Sequence, residues 1–338
     1  MLMSLSILTE THNSSSVIQY NGRPVPGKRV QIYAHRAGRG LLPEQTMPAF
    51  KESLRLGVDY VDMDINMTKD GVLVVTHDLG LNPNLTRDAD GKWITNPIPI
   101  HSMNLKQIQS YNVGKLKPGT EYSKYFPNQK TLEYAKIPTL KKVIQYVKKI
   151  AGNEVGFQIE IKNNPTKPEL SATPVQYAEV LLKILREENV INRTEVQAFD
   201  WRCLIALNKL DPDMKTAYLT DHTAEKLDAK DKEIWTAGLL PKDYDYSFPK
   251  MVKYLKGYCW EPYIMDLTRK QLNEAHKLGL KVIVWGWPEK EDTEFNYKKI
   301  EQLIYWGVDG FITDRPDILR DILTAKGYNL PQRFSCNS

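Results

Sequence analysis

From residue 29 onward the chain alternates short, β-rich apolar runs with segments of helical periodicity, and this alternation restricts the fold more than any other feature. The runs are "RVQIYA", "VDYVDMDI", "VLVVTHD", "VGFQIEIK", "EVQAFD", "KTAYLT", "GYCWEP", "KVIVWGW" and "GVDGFIT". Between them, apolar residues at helical spacing predict helices over 47–56, 139–150, 174–189, 268–278, 295–305 and 316–325. Such alternation builds a parallel sheet with crossover helices. Nine strands are too many for an ordinary open sheet but suit an eight-stranded α/β barrel, a TIM (β/α)8 barrel, with one accessory strand. The length of 338 residues accommodates one such barrel of about 250 residues and an insertion. Residues 79–138, rich in Asn, Pro, Gly, Lys and Tyr, interrupt the alternation. They are too many for a structureless loop in a compact domain and read as a small insertion on one barrel mouth. Residues 1–28 read as an N-terminal arm, 29–330 as a single barrel domain and 331–338 as a C-terminal tail.

Composition removes several classes of function. Apolar residues make up 41% of the chain and charged residues 26%, the balance of a protein with a sizeable core. The net charge of +5 is dispersed, and the densest basic stretch, "LKKVIQYVKK" at 140–149, carries apolar residues at helical spacing. It reads as a solvated helix face and gives no support for nucleic-acid binding. Cys203, Cys259 and Cys336 share no spacing that suggests a zinc knuckle or a disulfide framework. No apolar run approaches the roughly 20 residues of a membrane span. The start, "MLMSLSILTETHNSSS", lacks a basic flank and a small-residue cleavage site. A cytoplasmic location is therefore the expectation, with a periplasmic or secreted protein as the alternative. Nothing in the sequence bears on oligomeric state.

The charged residues fall in a telling place. His35, Asp62, Asp64, His77, Asp78, Glu160, Lys162 and Asp200 all lie within or just after β-like runs. Charged groups at the C-terminal ends of barrel strands converge on one mouth, where such barrels carry their active sites. Any one alone is a strand-end residue facing solvent; eight together point to a site. In "VDMDINMTKDGVLVVTHD", the Asp70-Gly71 pair reads as a two-residue hairpin turn that pairs Lys69 with Val72. That register places Asp64 opposite His77, with Asp62 on the same face. In "FQIEIKNN" a period of two puts Glu160 and Lys162 on one face. An ion pair between them is the structural alternative, but Glu160 also completes three carboxylates with Asp62 and Asp64. Their mutual repulsion calls for a hard divalent cation, Ca2+ or Mg2+, rather than zinc. Arg36 supplies a planar fork for phosphate oxygens and Lys162 a point charge. With His35 and His77 as acid and base, the set suits phosphodiester cleavage.

The motifs "HRAGRGLLPEQT", "DMDINMTKDGVLVVTHD", "FQIEIK", "VQAFD", "VIVWGW" and "GVDGFITDRP" together resemble, in order, those of the glycerophosphodiester phosphodiesterase family. The resemblance runs from about residue 30 to 320 and is most specific over 33–78. It implies a distorted TIM barrel with a small insertion at the C-terminal mouth. It also implies metal-dependent hydrolysis of glycerophosphodiesters to sn-glycerol 3-phosphate and an alcohol, through a cyclic phosphate. Carried onto this chain, His35 and His77 match the acid/base pair, Asp62, Asp64 and Glu160 the metal carboxylates, and Arg36 and Lys162 the phosphate-binding positions. The chain departs from the family pattern at Ala37, where glycine is usual, at Asp62, where glutamate is usual, and at Gln45, where asparagine is frequent.

Trp285, near the end of a late strand and beside the turn residue Gly286, is the aromatic expected to line the substrate pocket, with Phe199 and Trp287 as further candidates. Asp314, just before Pro316, is expected to cap the last helix. Thr46 is expected to cap the helix after the first strand. Glu44 is expected to orient His35 or Arg36 from behind the metal carboxylates. Two alternatives stand beside the hydrolase: a non-catalytic barrel that binds a phosphodiester or a metal, and a phospholipase D-like enzyme acting on lysolipids.

Overall fold

The computed structural model describes residues 29–222, 233–286 and 294–336, so the arm at 1–28 and Trp287 lie outside the described residues. In chain order the strands are β1 (Gln31–Ala34), β2 (Tyr60–Met67), β3 (Leu73–Val75), β4 (Gly80–Leu81), β5 (Ile98–Pro99), β6 (Gly156–Ile161), β7 (Thr194–Ala198), β8 (Lys215–Thr220), β9 (Cys259–Pro262), β10 (Lys281–Trp285) and β11 (Gly310–Thr313). The helices are α1 (Met47–Leu56), α2 (Leu105–Ile108), α3 (Glu121–Tyr125), α4 (Leu140–Ala151), α5 (Pro174–Glu187), α6 (Trp201–Leu210), α7 (Phe248–Tyr254), α8 (Arg269–Lys277), α9 (Glu294–Trp306) and α10 (Pro316–Ala325). Strands β1, β2, β6, β7, β8, β9, β10 and β11 pair in parallel, and β1 pairs with both β2 and β11, which closes an eight-stranded barrel. Strand β3 is the accessory strand, antiparallel to β2.

The barrel closes because its strands alternate in character. Outward residues such as Val61, Met63 and Ile65 on β2 and Phe157, Ile159 and Ile161 on β6 are buried beneath the helices. Helix α4 meets that layer with Leu140, Val143, Ile144 and Val147, while Lys148 on its other side bonds Glu188, so the basic stretch is indeed a solvated face. Thr46 caps α1 by accepting from the Ala49 N–H, and Gly57 ends the helix with φ 85°. The last described residues fold back onto α1, where the Phe334 N–H donates to the Leu54 carbonyl. Helices α6 and α7 were not anticipated from periodicity. Asp200 proves to be the N-cap of α6 and bonds Arg202, which removes it from the strand-end cluster.

Inward residues on β2, β6 and β7 are largely polar, while Ala217, Cys259, Ile283 and Ile312 form an apolar cluster with Tyr33 on the opposite side. At the N-terminal end, Tyr33 and Tyr60 stack with ring centroids 4.4 Å apart, and the Tyr33 hydroxyl donates to Glu195 3.1 Å away. Lys281 Nζ lies 3.4 Å from Glu195 and 2.7 Å from Gln31 Oε1, so the fully buried Glu195 is paired and the barrel floor is sealed. Residues 79–138 form the insertion, with the β4–β5 hairpin, α2, α3 and a small core of Leu81, Ile100, Met103, Ile108 and Ile137 around Val74.

The β2–β3 hairpin differs from expectation by one residue. Met67 pairs with Leu73 and Ile65 with Val75, so Asp64 falls opposite Thr76, not His77. The turn holds three residues: the Gly71 N–H bonds the Thr68 carbonyl, Gly71 has φ 75°, and Thr68 Oγ1 donates to Asp70 Oδ1. A glycine in the left-handed region after a tight turn adds one residue to the loop, which the Asp-Gly signal alone does not distinguish from the two-residue form.

The floor stack tolerates nothing at Gly156, where an added Cβ would lie 2.5 Å from Tyr60 Cδ1. Gly156→Ala is expected to destabilise the fold by about 1–3 kcal/mol through overpacking. Thermal unfolding followed by circular dichroism checks this; an unchanged midpoint would mean that the Tyr33–Tyr60 stack yields freely.

Candidate active site

The site assembles on β2. Asp62 and Asp64 point into the barrel and stand in register with Gln158 and Glu160 of β6. All three carboxylates are buried. Asp62 Oδ1 accepts the Arg36 backbone N–H at 2.9 Å and Oδ2 the Gln197 amide at 2.6 Å. Asp64 Oδ2 accepts from Gln45 Nε2 at 2.7 Å, while Gln45 Oε1 accepts the Asp64 backbone N–H at 2.9 Å. Lys162, just past β6, sets its Nζ 2.6 Å from Glu160 Oε1 and 3.8 Å from Asp64 Oδ1. The ion pair weighed from sequence is therefore present, and it sits inside the carboxylate group. Burial, then Asp64, and then Glu160 push the Asp62 pKa well above the carboxylate range.

The loop from β1 to α1 wraps this group. Arg36, Ala37 and Gly38 are consecutive left-handed residues, with φ of 46°, 62° and 75°, and Gln45 is left-handed at 58°. This geometry turns His35 to the mouth and lets the Arg36 N–H reach Asp62. Arg36 Nη1 donates to Glu44 at 3.1 Å. Its buried Nε has no hydrogen-bond partner and lies 3.7 Å from Asp64 Oδ2. Glu44 touches Arg36 rather than the carboxylate trio, and its other oxygen accepts a short bond from the Tyr122 hydroxyl on α3 of the insertion.

Both histidines are anchored at Nδ1 by a carboxylate. His35 Nδ1 lies 2.5 Å from Asp314 Oδ1, which also accepts from Arg39 Nε at 2.7 Å. The cap expected of Asp314 is absent: the N-cap of α10 is Arg315, without a side-chain bond, because Asp314 is turned into the mouth. His77 Nδ1 lies 2.6 Å from Asp78 Oδ1, and its Nε2 is 3.1 Å from Lys162 Nζ. An ammonium only donates, so Nε2 of His77 accepts and Nδ1 carries the proton. Although the hairpin register does not deliver His77, Asn66 does: its Nδ2 donates to the carbonyls of Thr76 and Asp78, on either side of the histidine. Burial, then Arg36 and Lys162, lower the His77 pKa well below the ordinary imidazole value. Burial also lowers that of His35, against an upward pull from Asp314.

The structure thus brings together His35, Arg36, Asp62, Asp64, His77, Glu160 and Lys162. Trp285 stands behind them, donating to the carbonyls of Thr220 and Glu261, with its ring against Phe199 at 5.4 Å between centroids. Sequence reasoning missed Arg39, Asn66, Tyr122 and Gln197. Asn66 continues the period of two from Asp62 and Asp64 and was open to discovery; nothing local marks Tyr122.

The donor set of Asp62, Asp64 and Glu160 consists of hard carboxylate oxygens, with no thiol among them, and suits Ca2+ or Mg2+. As the side chains stand, no group of three or more His, Cys, Asp or Glu among the described residues is close enough to hold one ion, and Lys162 lies between Glu160 and Asp64. The chemistry fits a cation nonetheless, since Asp62, Asp64 and Glu160 bring three hard carboxylate donors to one inward face of neighbouring strands.

Comparison with known proteins gives a consistent picture. Residues 35–318 match the model of the "Glycerophosphoryl diester phosphodiesterase family". A glycerophosphodiester phosphodiesterase of Caldanaerobacter subterraneus subsp. tengcongensis is 26% identical over 297 residues, covering 88% of this chain and 98% of that protein. A solved Silicibacter pomeroyi structure, assigned by name to the glycerophosphoryl diester phosphodiesterases, is 30% identical with a TM-score of 0.78, covering 91% of this chain and 97% of its own. An Oleispira antarctica phosphodiesterase solved with its product sn-glycerol-3-phosphate is 15% identical, with a TM-score of 0.62 and coverage of 88% and 97%, and shares the fold.

The Asp314–His35 contact has a measurable consequence. The carboxylate raises the His35 pKa, so Asp314→Asn must lower it, and the unopposed Arg39 adds to the fall. Proton NMR titration of the imidazoles checks this; an unchanged or higher His35 pKa in the variant would break the assignment.

Proposed function

The chain belongs to the glycerophosphoryl diester phosphodiesterase family, and from that premise we propose how its own residues cleave a glycerophosphodiester. The products in this reading are sn-glycerol 3-phosphate, the ligand of the Oleispira structure, and an alcohol. One observation carries it: two histidines, each anchored at Nδ1 by a carboxylate, follow β1 and β3, which both pair with β2 on the edge away from β6, and the inward face of β2 bears the buried Asp62 and Asp64.

His77 is the base. Its Nε2 lone pair accepts from Lys162, which releases it when the substrate phosphate draws the ammonium away, and the depressed pKa keeps the ring neutral near pH 7. It takes the proton of the glycerol 2-hydroxyl as that oxygen attacks phosphorus. His35, oriented through its Nδ1 by Asp314, gives a proton from its other ring nitrogen to the departing alkoxide. Water then opens the cyclic phosphate with the two roles exchanged. Arg36 offers the phosphoryl oxygens its unpartnered Nε–H, and Lys162 adds a second positive charge. Asp62, Asp64 and Glu160 would hold a divalent cation, Ca2+ or Mg2+, which would neutralise charge developing at the phosphoryl group. Glu44 fixes the Arg36 guanidinium from the side away from the carboxylates.

His35→Ala and His77→Ala are each expected to lower the release of glycerol 3-phosphate from glycerophosphocholine by about 10²–10⁴-fold with the circular dichroism spectrum unchanged. Wild-type rates in both would exclude the pair. Exhaustive chelation is expected to abolish turnover and added Ca2+ or Mg2+ to restore it, whereas full activity in chelator would remove the cation from the scheme.

Glu44→Gln is expected to cost about 10–100-fold in kcat/KM while cation affinity measured by calorimetry stays at the wild-type value. Loss of cation binding in this variant would move Glu44 into the ligand set.

A further inference from the structure

Arg39 sits where the insertion meets the loop after β1. Its carbonyl accepts from Gln129 Nε2 at 2.7 Å, and its guanidinium lies over the Phe126 ring, 4.9 Å from the centroid. Its Nη1 donates to the Tyr122 hydroxyl at 3.3 Å, and the Tyr122 ring meets Phe126 edgewise at 5.4 Å between centroids. Tyr122, Phe126 and Gln129 all belong to the insertion, to α3 and the turn just after it. The Lys130 N–H adds a bond to the Leu41 carbonyl at 2.9 Å. The insertion is thus fastened over the mouth with Arg39 at the centre of the joint.

An arginine that served only as a joint would have no need to face a histidine's partner. Arg39 Nε instead donates to Asp314 Oδ1 at 2.7 Å, and the same oxygen lies 2.5 Å from His35 Nδ1. Burial pulls the Asp314 pKa up, but Arg39 and then His35 outweigh it and hold the carboxyl well below the usual carboxylate range. An ionised carboxylate only accepts, which places a proton on His35 Nδ1 and leaves Nε2 to serve the leaving oxygen. On its other side the Tyr122 hydroxyl donates to Glu44, whose second oxygen accepts from Arg36 Nη1 at 3.1 Å. A chain of hydrogen bonds therefore runs from the Arg36 guanidinium through Glu44, Tyr122, Arg39 and Asp314 to His35. The planar guanidinium of Arg39 bonds a carboxylate and a phenol at once, a fork that a lysine ammonium does not offer.

We propose that Arg39 and Tyr122 are positioning residues for proton transfer to the leaving alcohol: through them the insertion holds Asp314, and so the His35 ring, at the angle from which its proton reaches the departing oxygen. The proposal rests on the assignment of His35 as the acid and extends it to groups that never touch the substrate. In the step concerned, the glycerol 2-hydroxyl oxygen bonds to phosphorus and gives its proton to His77. The bond from phosphorus to the alcohol oxygen breaks, its electron pair stays on that oxygen, and the oxygen takes the proton of His35. A leaving group as acidic as p-nitrophenol departs as its anion and needs no proton, so its release is indifferent to where His35 stands. An alkyl alcohol such as choline depends on that proton.

The test compares two substrates on the full chain, glycerophosphocholine and the p-nitrophenyl ester of glycerol 3-phosphate, by the ratio of their kcat values. Arg39→Met, which keeps the stem of the side chain, is expected to lower kcat for glycerophosphocholine about 10–100-fold, the upper end being what a misplacement of about 1 Å can cost, and kcat for the nitrophenyl ester no more than about threefold. Tyr122→Phe, which deletes the hydroxyl and keeps the ring against Phe126, is expected to shift the ratio the same way by roughly 3–10-fold, the worth of one hydrogen bond. Its release of Glu44 acts through Arg36 on both phosphates alike and cancels in the ratio. A residue that only braced the insertion would lower both rates together, so unchanged ratios in the folded variants overturn the proposal; if Arg39→Met does not fold, the Tyr122→Phe ratio decides. His35→Ala is the reference. A shifted ratio there with unchanged ratios in the other two defeats this proposal alone, whereas an unchanged ratio in His35→Ala removes the acid assignment and the proposal with it.

Discussion

The site depends on the ties between two carboxylates of β2 and the loop that follows β1. Arg36, Ala37 and Gln45 hold left-handed backbone angles, which cost non-glycine residues about 1–2 kcal/mol each. The loop keeps them because Asp62 accepts the Arg36 N–H and Asp64 exchanges two bonds with the Gln45 side chain, contacts worth about 1.5–3 kcal/mol apiece when one partner is charged. The Gln45 N–H, bonded to the Arg36 carbonyl, closes the loop on itself. Through these links the carboxylates set the direction of His35 and the Arg36 guanidinium, so one β-strand organises groups contributed by another.

A polar barrel interior is what makes such ties possible, and it is sustained from outside. The helices cover the outward faces of the strands with a continuous apolar layer, and this burial, with a smaller cluster of Tyr33, Ala217, Cys259, Ile283 and Ile312 inside the barrel, stabilises a structure whose interior is otherwise rich in polar groups. Inside, charges are matched in tiers. Glu195 meets Lys281 and Tyr33 on the floor, and Asp62 meets Gln197 in the middle. Glu261 accepts from Gln158, and burial and then Glu195 raise its pKa well above the carboxylate range. The upper tier, with Asp64, Glu160, Lys162 and both histidines, opens to solvent and is where chemistry has access.

The architecture was legible because it depends on periodicity. All nine β-rich runs became strands and the six expected helices formed, since each rests on apolar residues at a local spacing. Helix α6 escaped notice because Trp201–Leu210 is apolar on several sides, and α7 because Phe248–Tyr254 is short. At the site, residue types were readable and their pairings were not. The hairpin slipped by one because a left-handed Gly71 adds a residue to the turn. Asp314 read as a cap from its neighbours in sequence, yet its partners, His35 and Arg39, lie some 275–279 residues away. Tyr122 joins Glu44 only because the insertion folds over the mouth, and spacing carries no trace of that contact.

The three departures from the family pattern can now be weighed together against the reading of a non-catalytic barrel. Asp62, one methylene shorter than glutamate, keeps its carboxylate near β2, where the Arg36 N–H and the Gln197 amide both reach it. Gln45, one methylene longer than asparagine, spans to Asp64 and bonds its side chain and its backbone at once. Ala37 takes up the left-handed angle that glycine adopts more cheaply, and its carbonyl accepts from Ser53 of α1, which anchors the loop. Each change alters reach, and none removes a charge, a proton donor or an acceptor from the mouth. A barrel that had abandoned catalysis would have no physical need to hold two partly exposed histidines by carboxylates at 2.5 and 2.6 Å. Retaining that arrangement beside altered but compensated contacts favours a working phosphodiesterase site over a binding site alone.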